Sequence, residues 1–494
     1  MDRALTLNRR AYDESMLGVV GISTSPDANV GVVRELTLEP NITSTRGYMD
    51  VKNKAGVEDL NSANLFTAAE LLTPIGVTHD DPDRTSMSYK QTKYMVPVAD
   101  SDPVLIGNRV EAVVPYLLSD EFVVDAKEDG QVVDVTPDWV VVKYKSGKNY
   151  AIDISPRVKK NASAGFFVDN TLKCDLKLGD KFKKGDVLAY NDKQFTKHTD
   201  DNGASMNLGV LTKIAISSSW DIYEDSTPIT TKLSERLATE MIDEKPIVLK
   251  PNTMVDYIVK IGQQVKTGDP LIKFSETLSD EMQALFNSLR DNDKLGKIAE
   301  DTKTTIKAKH TGEVVDIKIY TTVPIKELDP SLAKIVSGYQ KKIESRNKVL
   351  HKYANKGDVK YYEAGQIISE VAEVMTPSKN GKIKGQYIDQ GVLILFYVKY
   401  RDVAAKGDKI VANFALKGVT SHVIEEGYEP YSEYRPDEEI STIIAPLAVA
   451  ARKTPSIFIA MFGNKLLIEA KRQLKDIYLN GKEPPAGYKN KKKT

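Results

Sequence analysis

The spacing of apolar and polar positions changes period several times along this chain, and the changes mark its elements. From Tyr400 to Val419 it reads Y-R-D-V-A-A-K-G-D-K-I-V-A-N-F-A-L-K-G-V. Gly407-Asp408 is a turn signal, and Ile410, Val411 and Phe414 to Leu416 are apolar enough to form half-buried strand on either side of a second turn. Short β-branched runs bounded by turn residues predict strands at Ala112 to Tyr116, Gly130 to Val135 and Trp139 to Tyr144. Leu278, Met282, Leu285, Phe286 and Leu289 recur at helical spacing, which predicts an amphipathic helix there. Thr305 to Tyr320 predicts returning strands, Val336 to Lys352 a charged helix, and the stretch from about Asn464 to Leu479 a further helix.

A repeat sits in the middle of the chain. Gly179-Asp180-Lys181-Phe182-Lys183-Lys184-Gly185-Asp186-Val187-Leu188 has a near copy at Gly262-Gln263-Gln264-Val265-Lys266-Thr267-Gly268-Asp269-Pro270-Leu271. Such Gly-Asp corners reverse the chain and mark sandwich-barrel folds. They also occur in lipoyl and biotinyl carrier domains, but no M-K-M or D-K-A acceptor lysine lies at a hairpin tip, which argues against a carrier. The expected fold class is therefore β-rich α+β with several domains.

Composition narrows the function classes. A chain of 494 residues is long enough for two to four cored domains. Its 69 basic and 69 acidic residues cancel, so nucleic-acid binding would have to come from local patches. The single cysteine, Cys174, excludes an internal disulfide framework and any C-x-x-C motif, and fits a reducing compartment. The start Met1-Asp2-Arg3 has no apolar core of a signal peptide, and no long apolar run occurs, so a cytosolic protein with no membrane span is expected.

Three groups of residues could carry chemistry. Lys409 and Lys417 would lie roughly 26 Å apart on continuous strand, at about 3.3 Å per residue, so they share a site only if the chain folds back between them. Converging lysines on a rigid hairpin suit phosphate as point charges; the plain alternative is two solvated surface lysines. Glu224-Asp225 follows Trp220-Asp221-Ile222-Tyr223, and adjacent carboxylates on a strand point to opposite sides, so only one can face a given site. As a bare pair they are most simply a surface acidic dipeptide. His79-Asp80-Asp81, followed by Arg84, could be a metal site, or an acidic loop in water.

The order V-K, G-D-K, K-G at Val398-Lys399, Gly407-Asp408-Lys409 and Lys417-Gly418-Val419 resembles the barrel segment of the second-largest (beta) subunit of multisubunit DNA-dependent RNA polymerase. Three further stretches resemble that family in the same order. They are His79-Asp80-Asp81-x-x-Arg84-x-x-Met87, then Tyr223-Glu224-Asp225-Ser226 after Asn207-Leu208-Gly209, then Pro446-Leu447-Ala448-Val449-Ala450-Ala451-Arg452. Ile22, Thr24, Asn29 and Gly31 are similar to the family's fork segment. The sequence departs from the family at Ala412-Asn413-Phe414-Ala415-Leu416, which replaces a basic, histidine-containing link, and at Thr454-Pro455-Ser456-Ile457.

This resemblance implies a double-psi β-barrel core with sandwich-barrel modules and an inserted flap domain. It divides the chain into a fork-like region (1–100), a first barrel and hybrid-binding region (101–245), a flap (246–365), the second part of the barrel (366–456) and a C-terminal helix with a basic tail (457–494). Lys409 and Lys417 would face the transcript end, with Arg9 and Arg10 as further nucleic-acid contacts. Arg84 and Arg452 would face the nucleoside triphosphate, and Asp225, with Glu224, would lie near the second catalytic Mg²⁺, acting through water. The stripe Met282, Leu285, Phe286 and Leu289 would dock a promoter-specificity factor.

The aspartate triad that holds both ions in this family, N-A-D-F-D-G-D, belongs to the largest subunit, and no such run occurs here. The chain is thus expected to be inactive alone and active with beta-prime-type chains carrying the triad, with an N-terminal beta piece, and with DNA template, RNA transcript and triphosphates. The expected setting is a split beta subunit of a giant bacteriophage, transcribing viral genes in the cytoplasm of an infected bacterial host or carried in the virion. Two other classes stay open: a non-catalytic, polymerase-like virion structural protein, and an unrelated β-rich enzyme, for which no G-x-x-x-x-G-K-[ST], H-E-x-x-H or paired-cysteine motif speaks.

Overall fold

The computed structural model describes residues 11–24, 29–42, 60–73, 75–160, 166–219, 222–276, 303–354, 380–412 and 415–482, with a few isolated positions besides. Its backbone is set by one strand, Val392–Asp402. The first seven residues, V-L-I-L-F-Y-V, are all buried, which is the pattern of a strand covered on both faces. Alternation sends Val392, Ile394, Phe396 and Val398 into one apolar core. Leu393, Leu395 and Tyr397 go into another, with Ile242, Ile383 and Ile388. Each such side chain contributes roughly 1.5–3 kcal/mol on burial.

Antiparallel neighbours flank this strand on both sides. Thr239–Leu249 pairs with it along its full length, from Thr239 opposite Asp402 to Leu249 opposite Val392. Gly312–Thr321 pairs on the other side with a shift between Val314 and Asp316. Gln264–Val265, Phe167–Asp169 and Val158–Lys160 complete six strands. A second sheet of five strands, in the order Ile214–Ile216, Thr442–Ile444, Ser226–Thr230, Lys417–Ile424 and Lys409–Val411, curls into a half-barrel. It interleaves two distant stretches of chain. Ser226–Thr230 runs parallel to Lys417–Ile424, and Ile214–Ile216 parallel to Thr442–Ile444.

The Gly-Asp corners recognised in the sequence are one device used four times, first at Gly179-Asp180, where Lys177 and Asp180 make both of its bonds (3.0 and 2.8 Å) and Gly179 has φ of 88°. In each, the backbone N–H of the aspartate donates to the carbonyl three residues back, and the carboxylate accepts the N–H of that same residue. The other three pairs are Lys183 and Asp186 (3.1 and 2.9 Å), Lys266 and Asp269 (3.0 and 2.8 Å), and Ala405 and Asp408 (3.1 and 2.8 Å). The glycine between them has φ of 90°, 93° and 98° at Gly185, Gly268 and Gly407, values that glycine adopts without a Cβ penalty. The first copy closes a module around Val132, Val142, Ile152 and Leu188.

Helix Pro330–Ala354 ties the two modules together. Its Arg346 donates to both carboxylate oxygens of Asp153 at 3.0 Å and lies 5.3 Å over the Trp139 ring, while Leu350 and Tyr353 pack on Trp139, Val141 and Ala151. Among the described residues no helix is long and apolar enough to cross a membrane.

Two expected elements differ. Ala112 to Tyr116 is not a strand but part of helix Val110–Leu117. Asn108 accepts the Val110 N–H at 3.1 Å and Glu111 accepts the Arg109 N–H at 3.2 Å, so local side-chain bonds to the backbone at the helix start oppose the β-branched composition, although the N-cap residue Arg109 makes no side-chain cap. The C-terminal helix is Pro455–Tyr478, starting well before Asn464, with Pro455 in its first turn where no N–H partner is needed. Arg9, Arg10 and the stripe Met282, Leu285, Phe286 and Leu289 lie outside the described residues.

Asp316 sits at the shift in the central sheet, opposite Tyr397. Burial raises its carboxyl above the ordinary value, against the opposing pull of Lys318, the Ile317 N–H, Lys342 and Arg346. A raised folded-state value means that the folded protein holds this proton more tightly than the unfolded chain. The contribution is therefore most favourable at low pH and is lost as pH rises through the folded value. Asp316→Asn is expected to raise the melting temperature at neutral pH, with the gain closing as pH falls into the ordinary carboxylate range. Melts of both proteins from about pH 4 to about pH 8 check this; a gain independent of pH would contradict it.

Candidate nucleotide and nucleic-acid site

The chain does fold back between the two lysines. Strands Lys409–Val411 and Lys417–Ile424 form an antiparallel hairpin in which Lys409 is opposite Val419 and Lys417 opposite Val411. Directly opposed residues share a face, so the two lysines are diagonal neighbours on one side, at about 7–8 Å rather than the extended separation. Both are exposed, and neither makes an ion pair with a described residue. The hairpin is pinned at its base, where Gly407 N–H donates to Thr420 O and Thr420 N–H to Asp408 O, both at 2.8 Å. In G-D-K the glycine makes the corner, the aspartate ties it, and the lysine is displayed.

Gly418 has a different task. A Cβ there would stand 2.1 Å from Thr227 Oγ1 and 3.0 Å from the Asp225 carbonyl oxygen. Only glycine lets the Tyr223-Glu224-Asp225-Ser226 segment lie this close to the lysine hairpin, with Ser226 in register with Val419. Val419 N–H donates to Asp225 O at 2.8 Å. Glu224, Asp225 and Lys417 therefore border one small recess, with Glu224 in a left-handed conformation at φ 47°.

Arg452 also comes to this recess, but its guanidinium is hydrogen-bonded to the Asp225 carboxylate. Two residues expected to contact separate groups are partners of each other. They are 227 positions apart, and nothing in the linear pattern pairs them.

Arg84 lies on helix Pro82–Lys93 and is half-buried. His79-Asp80-Asp81 anchors that helix and does not form a metal cluster. Asp81 caps it through the Asp83 N–H at 3.1 Å and pairs with Lys453 at 3.2 Å. Asp80 accepts the Ser456 N–H at 3.0 Å and its hydroxyl at 2.5 Å. It thereby caps helix Pro455–Tyr478 from another part of the chain, where Thr454 supplies no side-chain cap. At the other end of the Arg84 helix, Gln91 Oε1 accepts the Ala415 N–H at 2.8 Å.

Arg84, Lys409 and Lys417 line one cleft of about 1950 Å³, whose other walls come from residues 208–214, 402–412 and 460–472. Three other cations on these walls are engaged. Lys213 pairs with Glu438, and Arg435 (3.1 Å) and Arg472 (2.7 Å) both pair with Glu469. The cleft therefore offers the hairpin lysines, Arg84 and Lys465 as positive charge outside these ion pairs.

Among the described residues the one set of three metal-ligating side chains whose donor atoms converge is His198, Asp200 and Asp201, on an exposed hairpin loop outside this cleft. Asp225 and Glu224 could add an outer contact to a hydrated Mg²⁺, but they do not make a magnesium site by themselves.

The folded chain thus presents two lysines and an arginine in a large cleft, built on a half-barrel whose strands come from distant segments. The family model of RNA polymerase Rpb2, domain 6, matches residues 202–483, more than half of the chain, and the protein belongs to that family. It is similar to the DNA-directed RNA polymerase subunit beta of Tropheryma whipplei (strain TW08/27), with 25% identity over 338 residues, covering 60% of this chain and 27% of the relative. The subunit beta of Acetivibrio thermocellus is 24% identical over 336 residues, covering 62% of this chain and 26% of that protein. The chain spans about a quarter of the length of these relatives.

Gly418→Ala is expected to lower stability by about 1–3 kcal/mol, the usual cost of forcing a methyl into packed space. Thr227→Ala in the same chain removes the hydroxyl that the methyl would strike and should return part of the loss. Denaturant unfolding of both variants measures this, and an undiminished Gly418→Ala protein would mean that the two segments are not held this closely.

Proposed function

We propose that the chain is a beta-type subunit of a multisubunit DNA-dependent RNA polymerase, contributing one side of the site where the transcript grows. The observation that carries this is the placement of Lys409 and Lys417 on one exposed hairpin face, in the cleft that also receives Arg84. We take the five-stranded half-barrel as this chain's double-psi β-barrel. In nucleotidyl transfer the transcript's 3′ hydroxyl attacks the α-phosphorus of a triphosphate and pyrophosphate leaves, so negative charge must be held at both ends of the reacting group. Lys409 and Lys417 hold the transcript end and its phosphate, and Arg84 holds the triphosphate. Arg452 is a second triphosphate contact, for which phosphate oxygens compete with Asp225.

Mg²⁺ supplies activation of the hydroxyl and neutralisation of the leaving group. In this proposal it is held mainly by aspartates of a beta-prime-type companion chain, with Asp225 bordering it through water. The departures at Ala412 to Leu416 and Thr454 to Ile457 support a viral polymerase acting in an infected bacterium. The stripe Met282, Leu285, Phe286 and Leu289 is proposed as its face for a promoter-specificity factor.

The test is primer extension on a nucleic-acid scaffold by the chain purified with its companion chains. Lys409→Ala plus Lys417→Ala is expected to reduce the rate by at least about 100-fold, since one such contact is worth roughly 3–4 kcal/mol, while the companions stay bound. Equal extension by both proteins would refute the role of the lysines. A complete complex that never extends a primer would favour a structural descendant of the polymerase.

A further inference from the structure

Gln91 is not one of the residues that carry the resemblance to the polymerase family, yet it makes the one side-chain hydrogen bond to the tip of the lysine hairpin among the described residues. Its carbonyl oxygen accepts the Ala415 N–H at 2.8 Å. Ala415 is fully buried and holds φ at 60°, in the left-handed region that costs a residue with a Cβ. Ala412 N–H donates to Leu416 O at 2.9 Å, so the tip doubles back tightly at this point. Because the Ala415 N–H fixes which end of the carboxamide is the oxygen, the bond sets the orientation of the Gln91 amide as well.

The same helix carries Arg84. Positions 84 and 91 are seven residues apart, so they fall on one helical face about 10 Å apart along the axis. Both line the cleft, together with Met87. The other end of this helix is fixed by Asp80 and Asp81, which bind Ser456 and Lys453. One rigid rod is therefore fastened at its start to the C-terminal helix and at its end to the hairpin that displays Lys409 and Lys417.

We propose that Gln91 is a positioning residue: by clamping the left-handed turn at Ala415 it sets the distance between the hairpin lysines and Arg84. Its role in the reaction rests on the polymerase function proposed above; its role as a clamp does not. In that reaction the lysines act on the transcript end and Arg84 on the triphosphate. Loosening the clamp moves the first relative to the second and leaves Arg84 in place. The signature is a fall in kcat with little change in the KM for the incoming nucleotide, because misplacing a reacting group by about 1 Å can cost up to about 100-fold in rate.

Two measurements on the full chain test this. In single-nucleotide addition by the assembled complex, Gln91→Ala is expected to lower kcat by at least about 10-fold with KM within about twofold. Ala415→Gly, which adopts the same φ without penalty, is expected to return most of that rate in the Gln91→Ala chain. A general loss of folding would not be repaired at this one position. In hydrogen exchange, Gln91→Ala is expected to speed exchange of the Ala415 amide at least about 10-fold while the amides of Val392–Asp402 stay protected.

Unchanged exchange at Ala415 overturns the clamp. Faster exchange with unchanged kcat in an active complex overturns the positioning role. A complex that does not extend even with the wild-type chain overturns the polymerase function instead, and the exchange result then still decides the clamp.

Discussion

The constraint on which the rest of the structure depends is the burial of one strand on both faces. Val392 to Val398 separates two apolar cores, so each residue in it is held by packing from one side or the other. A one-residue slip would send every side chain into the wrong core, so the register with Thr239–Leu249 and Gly312–Thr321 is strongly specified. The strand then runs out through Tyr400 and Asp402 into the Gly407-Asp408 corner. The lysine hairpin begins where that packed frame ends, and this is why two flexible side chains can share a defined face.

Charge in the cleft follows a division of labour. Lys213, Arg435 and Arg472 are spent on Glu438 and Glu469, and these pairs fix the hairpin after Ile424 and the C-terminal helix against the walls. Lys409 and Lys417 stand on the exposed face of a hairpin whose adjoining acidic side chain, Asp408, is turned back to its own backbone. Balanced overall charge is thus compatible with local positive potential. Of the aspartates close to the lysines in the folded chain, Asp408 is used as a turn tie and Asp225 is paired with Arg452.

The elements were legible in the sequence where they obey local rules. The Gly-Asp corners, the strands Gly130–Val135 and Trp139–Tyr144, and the return of the chain between the lysines all follow from turn chemistry and alternation. Ala112 to Tyr116 misled because its valines suit a strand, while the polar residues that bond the backbone at the helix start, Asn108 and Glu111, carry no regular capping pattern. Thr454-Pro455 was likewise a helix start that the eye passes over before the apolar run of Ile457 to Phe462. Gly407-Asp408 was legible as a turn, but its kinship with the other corners was not, because Ala405 stands where they have lysine. The site itself was legible only residue by residue. Which residues touch depended on bonds across 227, 324 and 376 positions: Arg452 with Asp225, Gln91 with Ala415 and Asp80 with Ser456.

Two of those three long-range bonds share a property that bears on how this chain can depart from the family motifs at Ala412 to Leu416 and at Thr454 to Ile457 and still assemble the cleft. Each of these two joins a family-like stretch, or a residue close to one, to a segment that departs from the family motifs, whereas Arg452 and Asp225 join two family-like stretches through their side chains. Asp80 belongs to the His79-Asp80-Asp81 stretch and caps a helix through Ser456, which lies in the altered segment. Gln91 extends from the helix of Arg84 to Ala415, in the other altered segment. A side chain that satisfies a backbone N–H places no demand on the identity of the residue that donates it, apart from its not being proline. Attachment through backbone amides therefore lets the altered segments vary in side chain while the positions of Arg84, Lys409 and Lys417 are kept.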